Sequence, residues 1–377
     1  VNSGSGERGR RSGPETGRFS ANRVRSAFSS WRASIRGTDL LVASVFAALS
    51  LGFGATVLAR GQAAVHLAYT ESARRLLAAV TEGLLLPQED LTSLSNFLET
   101  SGQTTRWQFR RLTFSMLERH RLVYAFEWLP LVRESERSLF EAEARDAGLA
   151  DYKFWDPGPD GKPVAAGSRP FYLPIHYMEP PSAGALGFDI AANPSRWATA
   201  ERARDSGRIA ASSPFQLIED ARKPDALPVV ALYAPQYKEG DPGVEDARRA
   251  ALTGFAMTIF RVAPLVDVAA AGAYPDGLGF ALRDLDAPKA PLMAQRPKDT
   301  AAVPRRAGFE IEFPVPFADR KWALAVFPLP GAFLPSRRGA VGVAATGIAA
   351  VLLGLITITS LRTILRLRRQ VEKVGPY

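Results

Sequence analysis

Hydrophobic and polar positions divide this chain into two long apolar runs and a patterned middle. Residues 40–59 (LLVASVFAALSLGFGATVLA) carry no charge, and Arg60 closes the run. As a helix, 20 residues at ~1.5 Å each span about 30 Å, the thickness of a bilayer's hydrocarbon core. Residues 339–361 form a second charge-free run, with Arg337 and Arg338 before it and Arg362 after it. Both are expected to be uncleaved transmembrane helices. The first is longer than the ~7–15 apolar residues of a signal peptide and stands behind a 39-residue leader.

Between the runs the periodicity is first helical. Leu76, Leu77, Val80 and Leu84 recur at three and four residues, Pro87 interrupts them, and Leu91, Leu94, Phe97 and Leu98 resume. A third helical stretch from Trp107 ends near His120. Residues 60–120 are thus a helical stalk. Strand patterns follow at 122–132, 152–155, 171–177, 185–190, 212–218 and 228–237, with a charged helix at 133–148 and a turn at 156–162. Pro194 fits the first position of a helix running to about Ser206, with Asn193 as its cap. GFAMTIFRV at 254–262 opens a second, smaller unit. The expected class is α+β, with two stacked subdomains at 121–246 and 247–338.

Charge adds an orientation. The net charge is +9, with +5 before Leu40 and +4 after Leu361, so the middle is balanced. Basic flanks face the cytoplasm. Residues 60–338 are therefore expected outside the inner membrane, periplasmic or extracellular, with both termini cytoplasmic. Residues 1–39 read as a disordered basic cytoplasmic tail, and the GSGERG within it as chance in a Gly-rich stretch. A nucleic-acid binder would carry its excess charge on a folded domain, so no nucleic-acid partner is expected. There is no cysteine, which excludes disulfides and thiolate metal sites.

Several segments, in order, resemble the CHASE domain, an extracellular sensory domain attached to cyclases and histidine kinases. They are AFEWLPLV (125–132), ESER (134–137), YLPIHYMEP (172–180), GFDI (187–190), NPSRWATAERARDSGRI (193–209), SSPFQLI (212–218) and LYAPQY (232–237). The resemblance implies a stalk followed by two PAS-like subdomains, with a ligand in the membrane-distal one. In the cytokinin receptors of this family an Asp matching Asp189 binds the adenine ring. The bulky aliphatic residue that precedes their Pro-Phe pair is Ala211 here, followed by Ser212, which argues against cytokinin itself.

From the residues themselves, Asp189 follows Phe188 on an apolar stretch and is either a ligand anchor or a cap of local backbone. Phe126 and Trp128 share a strand face and form either an aromatic wall or core. Tyr172 and His176 share a face of theirs. Ser212, Ser213 and Tyr233 are further candidates for the ligand site. No GxSxG or HExxH motif is present, the three His are scattered, and the Glu run at 134–143 sits on a charged helix. No catalytic, metal or cofactor site is expected. The chain reads as a receptor sensor that binds a small molecule, sits in a lipid bilayer and forms a homodimer. The alternative is an ectodomain that docks a periplasmic protein. Residues 362–377 read as a linker to an output domain. The final VGPY resembles the opening of bacterial Ser/Thr kinases, with a histidine kinase or cyclase as the other expectations.

Overall fold

The structure is a computed structural model. It describes residues 37–102, 104–158, 162–182, 184–217, 220, 227–272, 277–289, 291–334 and 337–373. Of the disordered tail expected over 1–39, residues 1–36 lie outside the described residues, as do Ile218 and the VGPY terminus, while 37–39 are not disordered but open the first helix. The chain divides into two compact units, residues 1–64 with 335–377 and residues 65–334.

Helix α1 (Gly37–Thr100) does not break at Pro87. A helix-interior proline costs about 3 kcal/mol. Here Leu76, Val80 and Leu84 before it and Leu91, Leu94 and Leu98 after it are all buried on one face. At about 1.5–3 kcal/mol for each buried leucine or valine, this stripe outweighs the proline. Helix α2 (Arg106–Arg119) follows, started by a capping box between Thr105 and Gln108.

Among the described residues the rest of this unit holds two larger antiparallel sheets and two small two-stranded ones. In chain order come β1 (Val123–Pro130), β2 (Val132–Arg133), α3 (Glu134–Asp146), β3 (Trp155–Pro157), β4 (Pro163–Ala165), β5 (Phe171–Tyr172), β6 (Tyr177–Glu179), α4 (Pro194–Ser206), β7 (Ala210–Ala211) and β8 (Val229–Tyr237). Then come α5 (Glu245–Ala251), β9 (Leu252–Arg261), α6 (Val262–Ala271), β10 (Leu278–Asp284), β11 (Leu292–Arg296), β12 (Ile311–Phe317) and β13 (Arg320–Pro328). The first sheet has the order β6-β1-β9-β8-β7 and the second β11-β10-β13-β12.

Three sequence expectations change. The GFAMTIFRV segment does not open the second unit. It lies in β9, between β1 and β8 in the first sheet, and is buried on both faces. The chain changes sheet through α6. Residues 185–190 are not a strand but a turn with two isolated bridges, Trp155 to Phe188 and Pro174 to Asp189. Gly187 dictates that path. Its φ is +80°, and a Cβ there would fall 2.1 Å from the Lys153 carbonyl oxygen. Residues 152–154 and most of 212–217 also lack regular pairing.

One core joins α1 to a face of both sheets, through Tyr69, Leu76 and Leu84 against Phe126, Phe260, Phe280 and Trp322. Tyr69 donates to the Val326 carbonyl at 2.8 Å. A second core fills the opposite face of the first sheet beneath α4.

The other unit contains the first part of α1 and helix α7 (Arg337–Lys373). Within it Phe46 packs against Gly354, 3.5 Å from where a Cβ would stand. Both helices are long and apolar enough to cross a membrane. Leu41, Leu49, Leu51 and Phe53 on α1 and Ile348, Leu353 and Ile356 on α7 are exposed.

Candidate functional site

The second core contains a cavity of about 150 Å³. Its floor is the first sheet. Alternation along β1 sends Ala125, Glu127 and Leu129 to this face and Phe126 and Trp128 to the other. Registry then sets a row across the strands: Met178 on β6, Glu127 on β1, Met257 on β9, Tyr233 on β8 and Ala210 on β7. Ile175, Ser182, Gly184, Ala185 and Phe188 form a wall, and Arg196 of α4 also lines the cavity.

Glu127 is 1% exposed, and its Oε2 has no hydrogen-bond partner. Burial pushes its carboxyl up to about 8, with the positive charge of Arg196 pulling weakly the other way. Tyr233 is fully buried with an unpartnered hydroxyl, and burial raises its ionisation well above the ordinary tyrosine range. A buried polar atom without a partner costs about 1–3 kcal/mol. The one on Glu127 lines the cavity and marks a place built to receive a polar group, while that on Tyr233 lies on the same sheet face outside the cavity lining.

Arg196 is positioned by the start of α4. Asn193 Oδ1 accepts from the Ser195 and Arg196 amides at 3.1 and 3.2 Å, and Pro194 takes the first helical position, as the sequence implies. The Arg196 guanidinium then lies 5.1 Å from the Phe188 ring centre and 4.5 Å from that of Phe215. Phe188 itself packs on Trp155 at 4.7 Å.

Among the residues expected at the site, Phe188 lines the cavity, and Tyr233 lies on the same sheet face two strands from Glu127, across Met257 and outside the lining. The others are elsewhere. Asp189 is fully buried, facing away from the cavity. Its Oδ1 accepts from the Leu173 and Ala191 amides at 2.8 and 3.0 Å, and its Oδ2 accepts from Arg169 Nη1 at 3.0 Å. Burial raises its ionisation, while the Leu173 amide and Arg169 oppose that rise. This is the capping alternative in geometry, at the start of the turn Ile190–Ala192.

Phe126 and Trp128 face the stalk side of the sheet, where the Trp128 indole donates to Gln236 Oε1 at 3.0 Å. Tyr172 belongs to a separate core, its hydroxyl among Glu134, Arg137 and the Arg169 amide. Ala211 points to the stalk side. Its amide donates to Asp319 Oδ1 at 2.7 Å, and its carbonyl accepts from Arg202 at 2.8 Å. Ser212 Oγ accepts from the Ala231 amide at 3.0 Å, and Ser213 is exposed.

His176, expected on one strand with Tyr172, instead lies in the irregular segment between β5 and β6 and packs among Trp128, Phe140 and Tyr152. Its imidazole is pushed down to about 4, chiefly by burial. Glu127 and Arg196 were not among the sequence candidates. The available signal was an acid on the buried face of an otherwise apolar strand. No group of three His, Cys, Asp or Glu could hold a metal ion among the described residues.

No protein of curated function matches the chain. Three solved structures share distant likeness. An extracellular ligand binding receptor from Desulfohalobium retbaense DSM5692 is 10% identical, with a TM-score of 0.39 over 68% of this chain and 39% of that one. The ligand-binding domain of the Pseudomonas aeruginosa PAO1 amino acid chemoreceptor PctC, in complex with GABA, is 15% identical. Its TM-score is 0.38 over 67% of this chain and 94% of that one. A methyl-accepting chemotaxis protein X is 13% identical, with a TM-score of 0.38 over 72% and 99%. The CHASE domain matches residues 102–294, half of the sequence, and the chain belongs to that family.

Proposed function

We propose that the chain is the sensory half of a transmembrane receptor and that the cavity at Glu127 is its ligand site. The observation that carries the reading is Glu127. Its buried, unpartnered oxygen sits in a cavity of a sensory domain, and a ligand would supply the missing partner. The expected role of Asp189 is replaced by Glu127, Phe188 and Arg196.

Residues 40–59 and 339–361 act as the two spans, with 60–338 outside. The exposed, apolar α1 and α7 segments and the basic flanks support this topology. The two sheets serve as stacked PAS-like subdomains. The boundary between them is drawn at α6 rather than at residue 246. Exposed Leu85, Trp107 and Phe114 on α1 and α2 support a stalk-mediated homodimer. The signal passes through α7 to a cytoplasmic output domain, of which a Ser/Thr kinase is the favoured type. A ligand shifts that output only by its differential affinity for two states.

The test uses the full chain in lipid nanodiscs and thermal scanning against small amines, adenines, small acids and peptides. At least one compound is expected to raise the melting temperature, and Ala185→Phe, which fills the cavity, to abolish that rise. A panel with no active compound, or a rise untouched by filling the cavity, overturns the assignment.

A further inference from the structure

The cavity's chemistry narrows what it can hold. Its volume matches that of an engineered apolar cavity that takes up benzene. Its walls are largely apolar, formed by Ile175, Met178, Phe188, Leu217 and Ile259. Into this space faces the Glu127 carboxyl, with one oxygen unpartnered. A carboxylate ligand would meet like charge there. An alcohol would gain a hydrogen bond but no charge pairing. A cationic nitrogen would gain both, in surroundings where Coulomb attraction is far stronger than in water.

Arg196 does not satisfy Glu127. No ion pair joins the two among the described residues, and the guanidinium is spread over two aromatic faces. Tyr233 stands two strands away across Met257, roughly 10 Å from Glu127 at the backbone, with its hydroxyl also unpartnered.

We propose that this cavity takes a small apolar amine as its ammonium ion, held by Glu127, and that the carboxyl gives up its proton to solvent as the ammonium enters. The proposal rests on the reading of the cavity as the ligand site. The step balances: a neutral carboxyl becomes a carboxylate, one proton leaves, and one cation arrives. The charged and titratable groups facing Glu127 are Arg196 from α4, Tyr233 from β8 and Tyr124 on its own strand. Its row neighbours on β6 and β9, Met178 and Met257, are uncharged. Burial keeps the free carboxyl protonated at neutral pH. Below about pH 8 the ionised fraction rises tenfold per pH unit, and amine affinity rises with it.

The experiment is calorimetry on the full chain in nanodiscs with two series of equal size, from methylamine to benzylamine and from methanol to benzyl alcohol. The titrations are repeated in buffers of different ionisation enthalpy and between pH 6 and 7.5. At least one amine is expected to bind tenfold or more tighter than its alcohol, with close to one proton released and affinity rising up to tenfold per pH unit. Glu127→Gln keeps the shape and is expected to remove the pH dependence and lower amine affinity at least tenfold, with alcohol binding retained. Alcohols that bind as well as amines, without proton release and without a Glu127→Gln effect, overturn the amine assignment and leave the cavity a ligand site. No binding by any member of either series overturns the amine assignment, and the wider panel of adenines, small acids and peptides then decides whether the cavity is a ligand site at all.

Discussion

Phe188 and Asp189 are neighbours in the chain and face opposite ways, the ring toward the cavity and the carboxyl toward the Leu173 amide and Arg169. The acid therefore holds the wall rather than the occupant. Asp189→Ala leaves the buried Leu173 amide and the half-buried Ala191 amide without their acceptor, while Arg169 keeps Asp156, and is expected to cost about 1–3 kcal/mol of stability. Asp189→Asn retains one acceptor oxygen and costs less. Denaturant unfolding of both variants checks this. Full stability in Asp189→Ala, with ligand binding alone lost, would restore the anchoring role.

Glu127 makes stability depend on pH in the sense opposite to a salt-bridged acid. Its carboxyl is raised to about 8 in the folded chain from an ordinary value of 4.5. Between these values the folded state holds the extra proton, so stability falls as pH rises from about 4.5 to 8. At about 1.4 kcal/mol per unit, the loss is on the order of 4–5 kcal/mol. Glu127→Gln is expected to flatten that slope and to leave the variant more stable than the parent at pH 8. Parallel melting curves from pH 5 to 8 read both effects.

What could be read in advance divides along physical lines. Charge-free runs, leucine spacing and the Asn193-Pro194 start of α4 are local signals, and the structure contains the helices they imply. Pro87 misled because its cost is local, whereas the stripe that overcomes it is tertiary. The same holds for β9: GFAMTIFRV looks alike as the edge of one unit or the middle of another, and pairing alone decides. The sequence pattern singles out Phe188, which lines the cavity, but not Glu127, although that acid lies within AFEWLPLV. Its face becomes visible only when Met178, Met257 and Tyr233 line up beside it. Direction at Asp189 depends on Gly187, whose positive φ turns the chain.

Asp319, in the turn between β12 and β13, ties the second sheet to the first. It accepts from Arg202 Nε at 2.8 Å and from the Ala211 amide at 2.7 Å. The Arg202 side chain is 45% exposed, so its ion pair is worth little. The buried amide bond carries most of the effect, about 1–3 kcal/mol. Asp319→Ala is expected to speed hydrogen exchange at Ala211 by tenfold or more while β8 and β9 keep their protection. Unchanged exchange at Ala211 would mean that the tie is not held by this carboxylate.

The orientation can be tested without background, because the chain has no cysteine. Ala301 is exposed in the 65–334 unit, and Gln370 is exposed near the end of α7. The basic flanks place Gln370 in the cytoplasm and Ala301 outside. In intact spheroplasts a membrane-impermeant maleimide is expected to label Ala301→Cys and to spare Gln370→Cys until the membrane is permeabilised. Labelling of both variants would mean that α7 does not span, and labelling of Gln370→Cys alone would invert the topology. Replacing Arg362, Arg366, Arg368 and Arg369 together with Gln removes four of the five basic residues after the second apolar run. Because orientation follows the bias of Lys and Arg near the span ends, that variant is expected to show labelling of Gln370→Cys in a fraction of molecules. Unaltered labelling would locate the orienting signal in the eight arginines before Leu40.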